Sequence, residues 1–313
     1  MSDKVKIAPA DPAGIAAAAA ILRDGGLVAV PTETVYGLAA RADSADAVAA
    51  IYRAKGRPDF NPLIVHVPDR AGAETFAVLD DRARRLAAAF WPGALTLVVP
   101  LREGARIASA VTAGLSTIAL RCPAHPVMQA LLKAAGLPLA APSANRSGAI
   151  SPTRAGHVAA SLGGRVDLIL DGGSCAAGLE STIVALREDG SWQLLRPGPI
   201  APERIAEVLG AAPAPIASQR IEAPGQLASH YAPGKPMRLS VMEARPDEFH
   251  IGFGPVPGHS SLSASADLAE AGARLYDCLH QAAGSAYPKI AVAPVPDSGI
   301  GAAINDRLRR AAA

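Results

Sequence analysis

The sequence has few of the features that would place a protein in a specialised class. Its 313 residues include three cysteines, Cys122, Cys175 and Cys278, and no C-x-x-C pair, which argues against a disulfide framework or a cysteine-rich zinc module. The longest apolar run, residues 15–22, is far shorter than the roughly 20 residues of a membrane-spanning helix. No secretory signal pattern follows Met1. We therefore expect a cytoplasmic protein without a membrane segment.

Aromatic residues and net charge are also low. Aromatics make up 4% of the chain, and 30 basic against 28 acidic residues leave a net charge of +2, which does not indicate a nonspecific nucleic-acid binder. In contrast, half of the residues are hydrophobic, and glycine (29) and proline (27) are frequent. This composition excludes a disordered chain and predicts a core of small aliphatic side chains with many turns.

Helix-like and strand-like segments alternate along the first two thirds of the chain. Asp11 followed by Pro12 predicts a helix start, and Ser44 predicts a second helix that runs to about Lys55. Further helices are predicted over 80–90, 126–135 and 202–209. Apolar runs predict strands over 27–30, 63–67, 95–99, 117–121, 139–141, 168–170, 181–186 and 192–196. We expect an α/β fold, a twisted mixed sheet with flanking helices.

The chain changes character at residues 211–235, which are rich in proline and alanine and predict a linker. After it the alternation restarts, with strands near 237–241, 249–253 and 290–295 and helices over 267–283 and from 301 onward. We therefore expect domains over 1–210 and 236–313, the second a smaller α/β unit. His230 and Tyr231 stand out in the linker and suggest that it covers a pocket.

The common nucleotide-binding and hydrolase motifs are absent. The sequence contains no G-x-x-x-x-G-K-[ST], G-x-G-x-x-G, H-E-x-x-H or G-x-S-x-G, so a standard loop would not hold a bound nucleotide. Polar residues cluster instead where predicted strands end, which is where α/β sheets bind ligands. These clusters are PTETVYGL (31–38), KGR with NPL (55–57 and 61–63), STIALR (116–121), APSANRSG (141–148), GLESTI (178–183) and RPG (196–198).

Individual residues in these clusters allow more than one interpretation. Lys55 and Arg57, in a proline-stiffened loop, can converge on an anion or form a solvated basic loop. Arg121 ends an apolar strand, where a lone charge is costly unless paired; a ligand carboxylate or an internal Asp or Glu would pair it. His66 lies inside an apolar strand, where a satisfied core histidine is the common case. Only its position beside the 55–63 loop makes it a site candidate.

Taken together, the motifs resemble the YrdC-like domains of the L-threonylcarbamoyl-AMP synthase family. The segment HYAP (230–233) and the tail GIGAAINDRL (299–308) are similar to those of the long, two-domain form. The resemblance implies a YrdC-like catalytic domain, a linker that acts as an active-site lid, and a smaller Rossmann-like C-terminal domain.

The resemblance also implies an activity. The family joins L-threonine, bicarbonate or CO2, and ATP into threonylcarbamoyl-AMP and pyrophosphate, for threonylcarbamoyladenosine modification of tRNA. This makes the expected enzyme a nucleotidyltransferase, with Mg2+ accompanying ATP and no metal held by protein side chains. Its product would pass to a tRNA threonylcarbamoyl-transferase complex, so tRNA binding is compatible with the activity but not required by it.

Site residues follow from the resemblance, position by position. Lys55 and Arg57 are expected to be catalytic through their charge near the phosphates, and Asn145 and Tyr36 are further candidate contacts or supports. The expected threonine-binding residues are Thr34, His66, Arg121, Ala141 and Ser181. The expected ATP-binding residues are Arg57, Asn61, Thr117, Ser143, Ser151, Arg196 and Tyr231.

Two other functions fit parts of the sequence. Lys55, Arg57, Arg146 and Arg196 could form a basic concave surface for tRNA or duplex RNA, although the total charge is weak. A carbamoyl-transferase step is the second alternative, because related domains occur in hydrogenase-maturation proteins. This chain lacks the length and the cysteine pairs of those proteins.

Overall fold

A computed structural model describes residues 5–58, 61–215, 221–225 and 230–313, and every structural statement below refers to them. The predicted linker is only partly included, because 216–220 and 226–229 lie outside the described residues. Within this part of the chain, the strands form one large mixed sheet and one small parallel sheet. The α/β class expected from the sequence is confirmed. The domain boundaries at 210 and 236 stay predictions.

The large sheet contains ten of the described strands, in the order β1-β8-β2-β3-β7-β4-β6-β5-β9-β10. The sheet contains parallel pairs, such as β4 with β6 and β5 with β9, and antiparallel pairs, such as β2 with β3 and β5 with β6. The strands are β1 (Ile7–Pro9), β2 (Val28–Val30), β3 (Gly37–Arg41), β4 (Ile64–His66), β5 (Leu95–Pro100), β6 (Thr117–Arg121), β7 (Leu139–Ala140), β8 (Leu168–Asp171), β9 (Thr182–Leu186) and β10 (Trp192–Arg196).

Helices flank the large sheet and begin at local signals that the sequence carries. The Asp11 carboxylate accepts from the Gly14 amide at 2.7 Å, and the Ser44 hydroxyl accepts from the Ala47 amide at 3.3 Å, as their predicted N-cap roles require. The helices are α1 (Pro12–Arg23), α2 (Ala45–Lys55), α3 (Arg70–Glu74), α4 (Asp81–Phe90), α5 (Ser109–Thr112), α6 (Pro126–Ala135), α7 (Ala155–Leu162) and α8 (Pro202–Leu209), with a 3-10 turn over Gly163–Arg165.

Helix α2 ends where the candidate basic loop begins. Gly56 follows Lys55 with φ 59°, in the left-handed conformation that glycine adopts at no steric cost. The chain therefore reverses between Lys55 and Arg57.

Most predicted elements agree with the structure to within a few residues, but some were missed. No strand is predicted in the polar cluster 31–38 or directly after it, whereas the last two residues of the cluster begin β3, which pairs antiparallel with β2. The other missed elements are β1, α3, α5, α7 and a two-residue strand over Ser260–Ser261. All are short or rich in small residues, so they carry little periodicity. The strand predicted over 237–241 is only two residues long.

The small sheet has four described strands, all parallel, in the order β11-β14-β12-β13. Its strands are β11 (Met237–Arg238), β12 (Glu248–Gly252), β13 (Ser260–Ser261) and β14 (Lys289–Val292), and its helices are α9 (Leu268–Gly284) and α10 (Ile300–Ala312). The all-parallel pattern confirms the expected smaller α/β unit. None of the described helices is long and apolar enough to cross a membrane.

Candidate active site

A cavity opens where β4 and β6 end side by side. These strands are parallel, and their register places His66 opposite Arg121. The loops after β2 and β7 close the walls, as do described parts of the linker. All five expected threonine-binding residues line it: Thr34, His66, Arg121, Ala141 and Ser181. So do four of the expected ATP-binding residues: Arg57, Ser143, Arg196 and Tyr231.

Arg121 is buried and paired within the protein. Its Nη2 lies 2.6 Å from Glu33 Oε1, its Nη1 donates to Thr34 Oγ1 at 2.8 Å, and its Nε donates to the Gly93 carbonyl at 3.2 Å. The pairing question left open by the sequence therefore has an internal answer, because Glu33 balances the charge. Burial alone does not require a ligand carboxylate at Arg121.

His66 is neutral at physiological pH and incompletely hydrogen-bonded. Burial, together with repulsion from the Arg121 cation, lowers the pKa of His66 to about 3. Its Nδ1 is buried and has no partner among the described residues. A buried polar atom without a partner costs free energy, and here it lies on a cavity wall. His66 therefore has hydrogen-bonding capacity that a bound ligand can satisfy.

The Ser181 hydroxyl belongs to a buried polar chain. It lies 2.7 Å from Thr96 Oγ1 and accepts from Arg196 Nη2 at 3.1 Å. Arg196 also donates to the Ser181 carbonyl from Nε and Nη2, and to the Pro224 carbonyl from Nη1. One arginine thus joins the start of β9 to the linker.

Three cations lie close together on the side of the cavity expected to hold ATP, and each has a depressed pKa. Burial and then repulsion by Arg57 lower the pKa of Lys55 well below its ordinary value. Burial, with repulsion from Arg196, lowers the pKa of Arg57 to about 10. Burial and Arg307 lower the pKa of Arg196. In all three, burial is the largest cause, and repulsion from a neighbouring arginine adds to it.

Four predicted site residues do not line the cavity. Lys55 lies beneath it, 3% exposed, and its Nζ donates to the carbonyls of Ser143 and Asn145. Asn61 is buried behind Arg57, which donates to the Asn61 carbonyl at 3.3 Å, and Ser151 is buried with its hydroxyl on Glu180 at 2.5 Å. Thr117 begins β6, at the opposite end of that strand from Arg121. The catalytic role of Lys55 and the ATP-binding roles of Asn61, Ser151 and Thr117 stay predictions.

Of the two further candidates, Asn145 supports the loop after β7. Its side-chain amide donates to the Arg146 and Ala149 carbonyls, and its Oδ1 is buried without a partner among the described residues. Tyr36 is buried, and its hydroxyl donates to the Gly173 carbonyl at 2.8 Å. Tyr36 therefore holds two loops together.

The described parts of the linker reach the cavity. Pro224, Gly225, His230 and Tyr231 line it, and the Tyr231 ring is 1% exposed. Gly225 has φ 87°, and a methyl group there would meet Arg196 Cδ at 2.8 Å and the Tyr231 hydroxyl at 3.3 Å. This close approach requires glycine at 225.

Glu180 connects the cavity to the small-sheet unit and was missing from the predicted site. It accepts from Tyr276 at 2.8 Å and from Arg307 Nε at 2.9 Å, on helices α9 and α10. Burial would raise the pKa of Glu180, but Arg307 and Arg196 outweigh it and hold the pKa at about 2. The sequence signal was present: a carboxylate between apolar Leu179 and Ser181, in a cluster already singled out.

The charge balance of this region favours an anionic ligand. Among the described residues that line the cavity, Glu180 alone carries a carboxylate, and its oxygens are hydrogen-bonded to Ser151, Tyr276 and Arg307. No group of three or more His, Cys, Asp or Glu residues in the described part of the chain could hold a metal ion. The arrangement suits phosphate groups next to a smaller polar compartment at His66, Arg121 and Ser181.

Comparison with known proteins gives an independent result. A family model described as "Telomere recombination" matches residues 20–198, and one described as "Threonylcarbamoyl-AMP synthase, C-terminal domain" matches residues 200–313. A threonylcarbamoyl-AMP synthase from Bacillus subtilis is 41% identical over 95% of this chain and 92% of its own length. The crystal structure of P. abyssi Sua5 complexed with L-threonine superposes with a TM-score of 0.88 at 34% identity, covering 99% of this chain and 97% of that one.

Proposed function

The chain belongs to the threonylcarbamoyl-AMP synthase family in its two-domain form, and we propose that it builds the threonylcarbamoyl adenylate in the cavity between Arg121 and Arg57. L-Threonine occupies the compartment of Thr34, His66 and Arg121, and the ATP phosphates lie against Arg57 and Arg196. This places the nucleophile and the α-phosphorus in one enclosed space.

The observation that carries this proposal is the unbalanced cluster of Lys55, Arg57 and Arg196. Burial lowers the pKa of all three, and each is also repelled by a neighbouring arginine: Lys55 by Arg57, Arg57 by Arg196, and Arg196 by Arg307. A polyphosphate supplies negative charge here, and Arg57 can hold it through the N–H groups that its bonds to the Asn61 and Pro62 carbonyls leave free, whereas Arg196 keeps one free N–H on Nη1. Lys55 acts through the Ser143 and Asn145 carbonyls that it holds, so it shapes the loop and adds charge from below.

The proposed chemistry needs no covalent enzyme intermediate. Threonine and bicarbonate combine to an N-carboxy-threonine with loss of water, and a carbamate oxygen then attacks the α-phosphorus of ATP. The bond from that phosphorus to the bridging oxygen breaks, and pyrophosphate leaves. Arg57 and Arg196 stabilise the charge that builds up on the phosphates. CO2 in place of bicarbonate would remove the dehydration step.

We propose that Mg2+ enters as the magnesium complex of ATP. The carboxylate of Glu180 is occupied by three hydrogen bonds, so the described lining offers no ligand set for a metal of its own. Phosphate oxygens are the usual Mg2+ ligands in such complexes. The metal would neutralise phosphate charge.

The linker is proposed to act as a lid, with Tyr231 on the nucleotide or the intermediate. Its contacts at Gly225, His230 and Tyr231 support this role, because a closed cavity keeps water from a mixed anhydride. After the lid opens, the product would pass to a tRNA threonylcarbamoyl-transferase complex. A cytoplasmic location stays a prediction.

The direct test is to incubate the protein with ATP, Mg2+, bicarbonate and radiolabelled L-threonine, and to measure pyrophosphate and a labelled AMP conjugate. Both should form together and only when all substrates are present. Pyrophosphate release that does not depend on threonine, or no conjugate at all, would contradict the proposal.

The RNA-binding alternative requires an exposed basic surface, and most of the side chains expected to form that surface are not exposed in this structure. Of its four basic residues, Lys55 and Arg196 are 3% and 4% exposed, and Arg146 is the one clearly exposed member. Buried side chains cannot contact the backbone of a duplex, so the basic surface expected from the sequence is not formed. Only a tRNA affinity that falls steeply with salt concentration would support the RNA-binding alternative.

A further inference from the structure

Glu33 contacts Arg121 of the threonine compartment, although Glu33 itself does not line the cavity. Its Oε1 lies 2.6 Å from Arg121 Nη2, and its Oε2 accepts from the Ala124 amide at 3.1 Å. Its backbone carbonyl accepts from the Ala177 amide at 2.7 Å. Both ends of Glu33 are therefore held, one against the end of β6 and the other against the loop after β8.

The contacts of Arg121 fix the plane of its guanidinium. A guanidinium has five N–H donors, and Glu33, Thr34 and the Gly93 carbonyl each take one of them. Because the group is planar, three partners at different positions determine its orientation. One N–H on each Nη remains, and two such donors match the two oxygens of a carboxylate.

The charge of Glu33 matters as well as its position. Burial would raise the pKa of Glu33, but the Arg121 cation and its hydrogen bonds, with that from Ala124, outweigh burial and lower it. Glu33 is therefore ionised at neutral pH and makes the pair with Arg121 neutral overall. A zwitterionic amino acid can then bind without leaving an uncompensated charge.

We propose that Glu33 is the positioning residue of the amino-acid compartment: it orients Arg121 so that the two remaining N–H groups receive the carboxylate of an α-amino acid. This inference rests on the proposed function for the identity of the ligand. Glu33 acts through Arg121 and does not touch the substrate. Its loss should therefore affect threonine binding much more than nucleotide binding.

The test compares Glu33→Gln and Glu33→Asp with the unaltered chain. Misplacing a binding group by about 1 Å can cost on the order of 100-fold, so in Glu33→Gln we expect the Kd for L-threonine, measured by calorimetry without ATP, to rise at least tenfold. The KM for ATP, and kcat at saturating threonine, should stay within about threefold. Glu33→Asp keeps the charge but is one methylene shorter, so it should recover part of the affinity.

Asp43→Asn is the matched control, because it removes a carboxylate from another arginine pair, with Arg41 at 2.8 Å, and neither of these two residues lines the cavity. It should leave the threonine Kd unchanged. An unchanged Kd in Glu33→Gln would overturn the proposal, as would equal losses in threonine affinity, ATP affinity and kcat, which would indicate a general structural role. If Glu33→Gln does not fold, Glu33→Asp alone decides: its threonine Kd must rise while its KM for ATP does not.

The proposed function can fail separately. If the unaltered chain binds no L-threonine, the identity of the ligand is wrong. If it binds threonine and Glu33→Gln binds it equally well, only the role of Glu33 is wrong.

Discussion

Arg307 and Glu180 form a buried ion pair between the last helix and the wall of the cavity, with Arg307 Nε 2.9 Å from Glu180 Oε2. Arg307 is completely buried, and its Cζ lies 5.5 Å from the centre of the Tyr231 ring. The small-sheet unit therefore contacts the cavity wall through Arg307 of α10 as well as Tyr276 of α9, and Arg307 touches both a cavity carboxylate and the linker.

Arg307→Ala should destabilise the protein and reduce turnover. Removing one partner of a buried pair leaves Glu180 uncompensated and typically costs about 3–5 kcal/mol. Urea unfolding followed by circular dichroism measures the change. The control is Arg309→Ala, an exposed arginine on the same helix, which should change stability by less than about 0.5 kcal/mol. Equal effects of both substitutions would argue against the pair.

Arg57→Ala should abolish most turnover and leave the fold intact. Loss of a preorganised charged donor costs roughly 2.7–4 kcal/mol of barrier, or about 10²–10³ in kcat. Pyrophosphate release under saturating substrates measures this. Arg53→Ala serves as the control, because Arg53 is an exposed arginine in the last turn of α2, just before the loop that carries Arg57. Near-normal pyrophosphate release by Arg57→Ala would mean that Arg57 does not bind the phosphates.

L-Valine should be a very poor substrate, although it is nearly isosteric with threonine. A compartment that hydrogen-bonds a substrate hydroxyl rejects the analogue that lacks it by on the order of 10⁴-fold, because its own polar groups lose their partner. A competition assay measures the ratio of kcat/KM for threonine to kcat/KM for valine, and this ratio should be smaller in Ser181→Ala. If valine competes within a few-fold of threonine, the threonine compartment has been assigned to the wrong residues.

Bound ligands should protect residues 224–234 from proteolysis. Part of this segment, 226–229, lies outside the described residues, whereas Gly225 and Tyr231 line the cavity. Limited proteolysis with and without ATP plus threonine tests whether the segment closes over the bound ligands. A chain cut near Pro215 should fold, bind ATP weakly and release its intermediate. Equal cleavage rates with and without ligands would mean that the segment is a passive tether.

Acid should weaken the contact between α7 and α9. His157 and His280 stack there with ring centres 3.8 Å apart, and the His280 Nε2 contacts the Ser151 carbonyl. Burial, with repulsion from His280 and Arg154 exceeding the attraction of Asp277, lowers the pKa of His157 to about 4.

The sign of this effect follows from proton linkage. In the unfolded chain His157 takes up a proton below about pH 6.5, whereas in the folded chain it does so only below about pH 4. The contribution of His157 alone, discounted for its partial exposure to solvent, should therefore lower the free energy of unfolding by roughly 2–3 kcal/mol as the pH drops through this interval. In urea unfolding at pH 7.5 and 5, the free energy of unfolding of His157→Gln should differ less between the two pH values than that of the unaltered chain. An equal difference would contradict the stacked-pair explanation.

Features with local causes could be predicted from the sequence. Asp11 and Ser44 cap the helices that they were expected to cap, because an N-cap bonds an amide only three residues ahead. The apolar runs of β4, β5, β6, β9 and β10 identified those strands within one or two residues. The motifs at strand ends were sufficient to indicate the family and nine of the residues that line the cavity, but not Glu180.

Partners far apart in the chain were decided by the tertiary structure alone. Arg121 meets Glu33 across 88 residues, and Glu180 meets Arg307 across 127. Local sequence showed only that buried charges needed partners. Which carboxylate met which arginine depended on the order of strands in the sheet and on where α10 packs, because ion pairing acts over a few ångströms in space, however far apart the residues are in sequence.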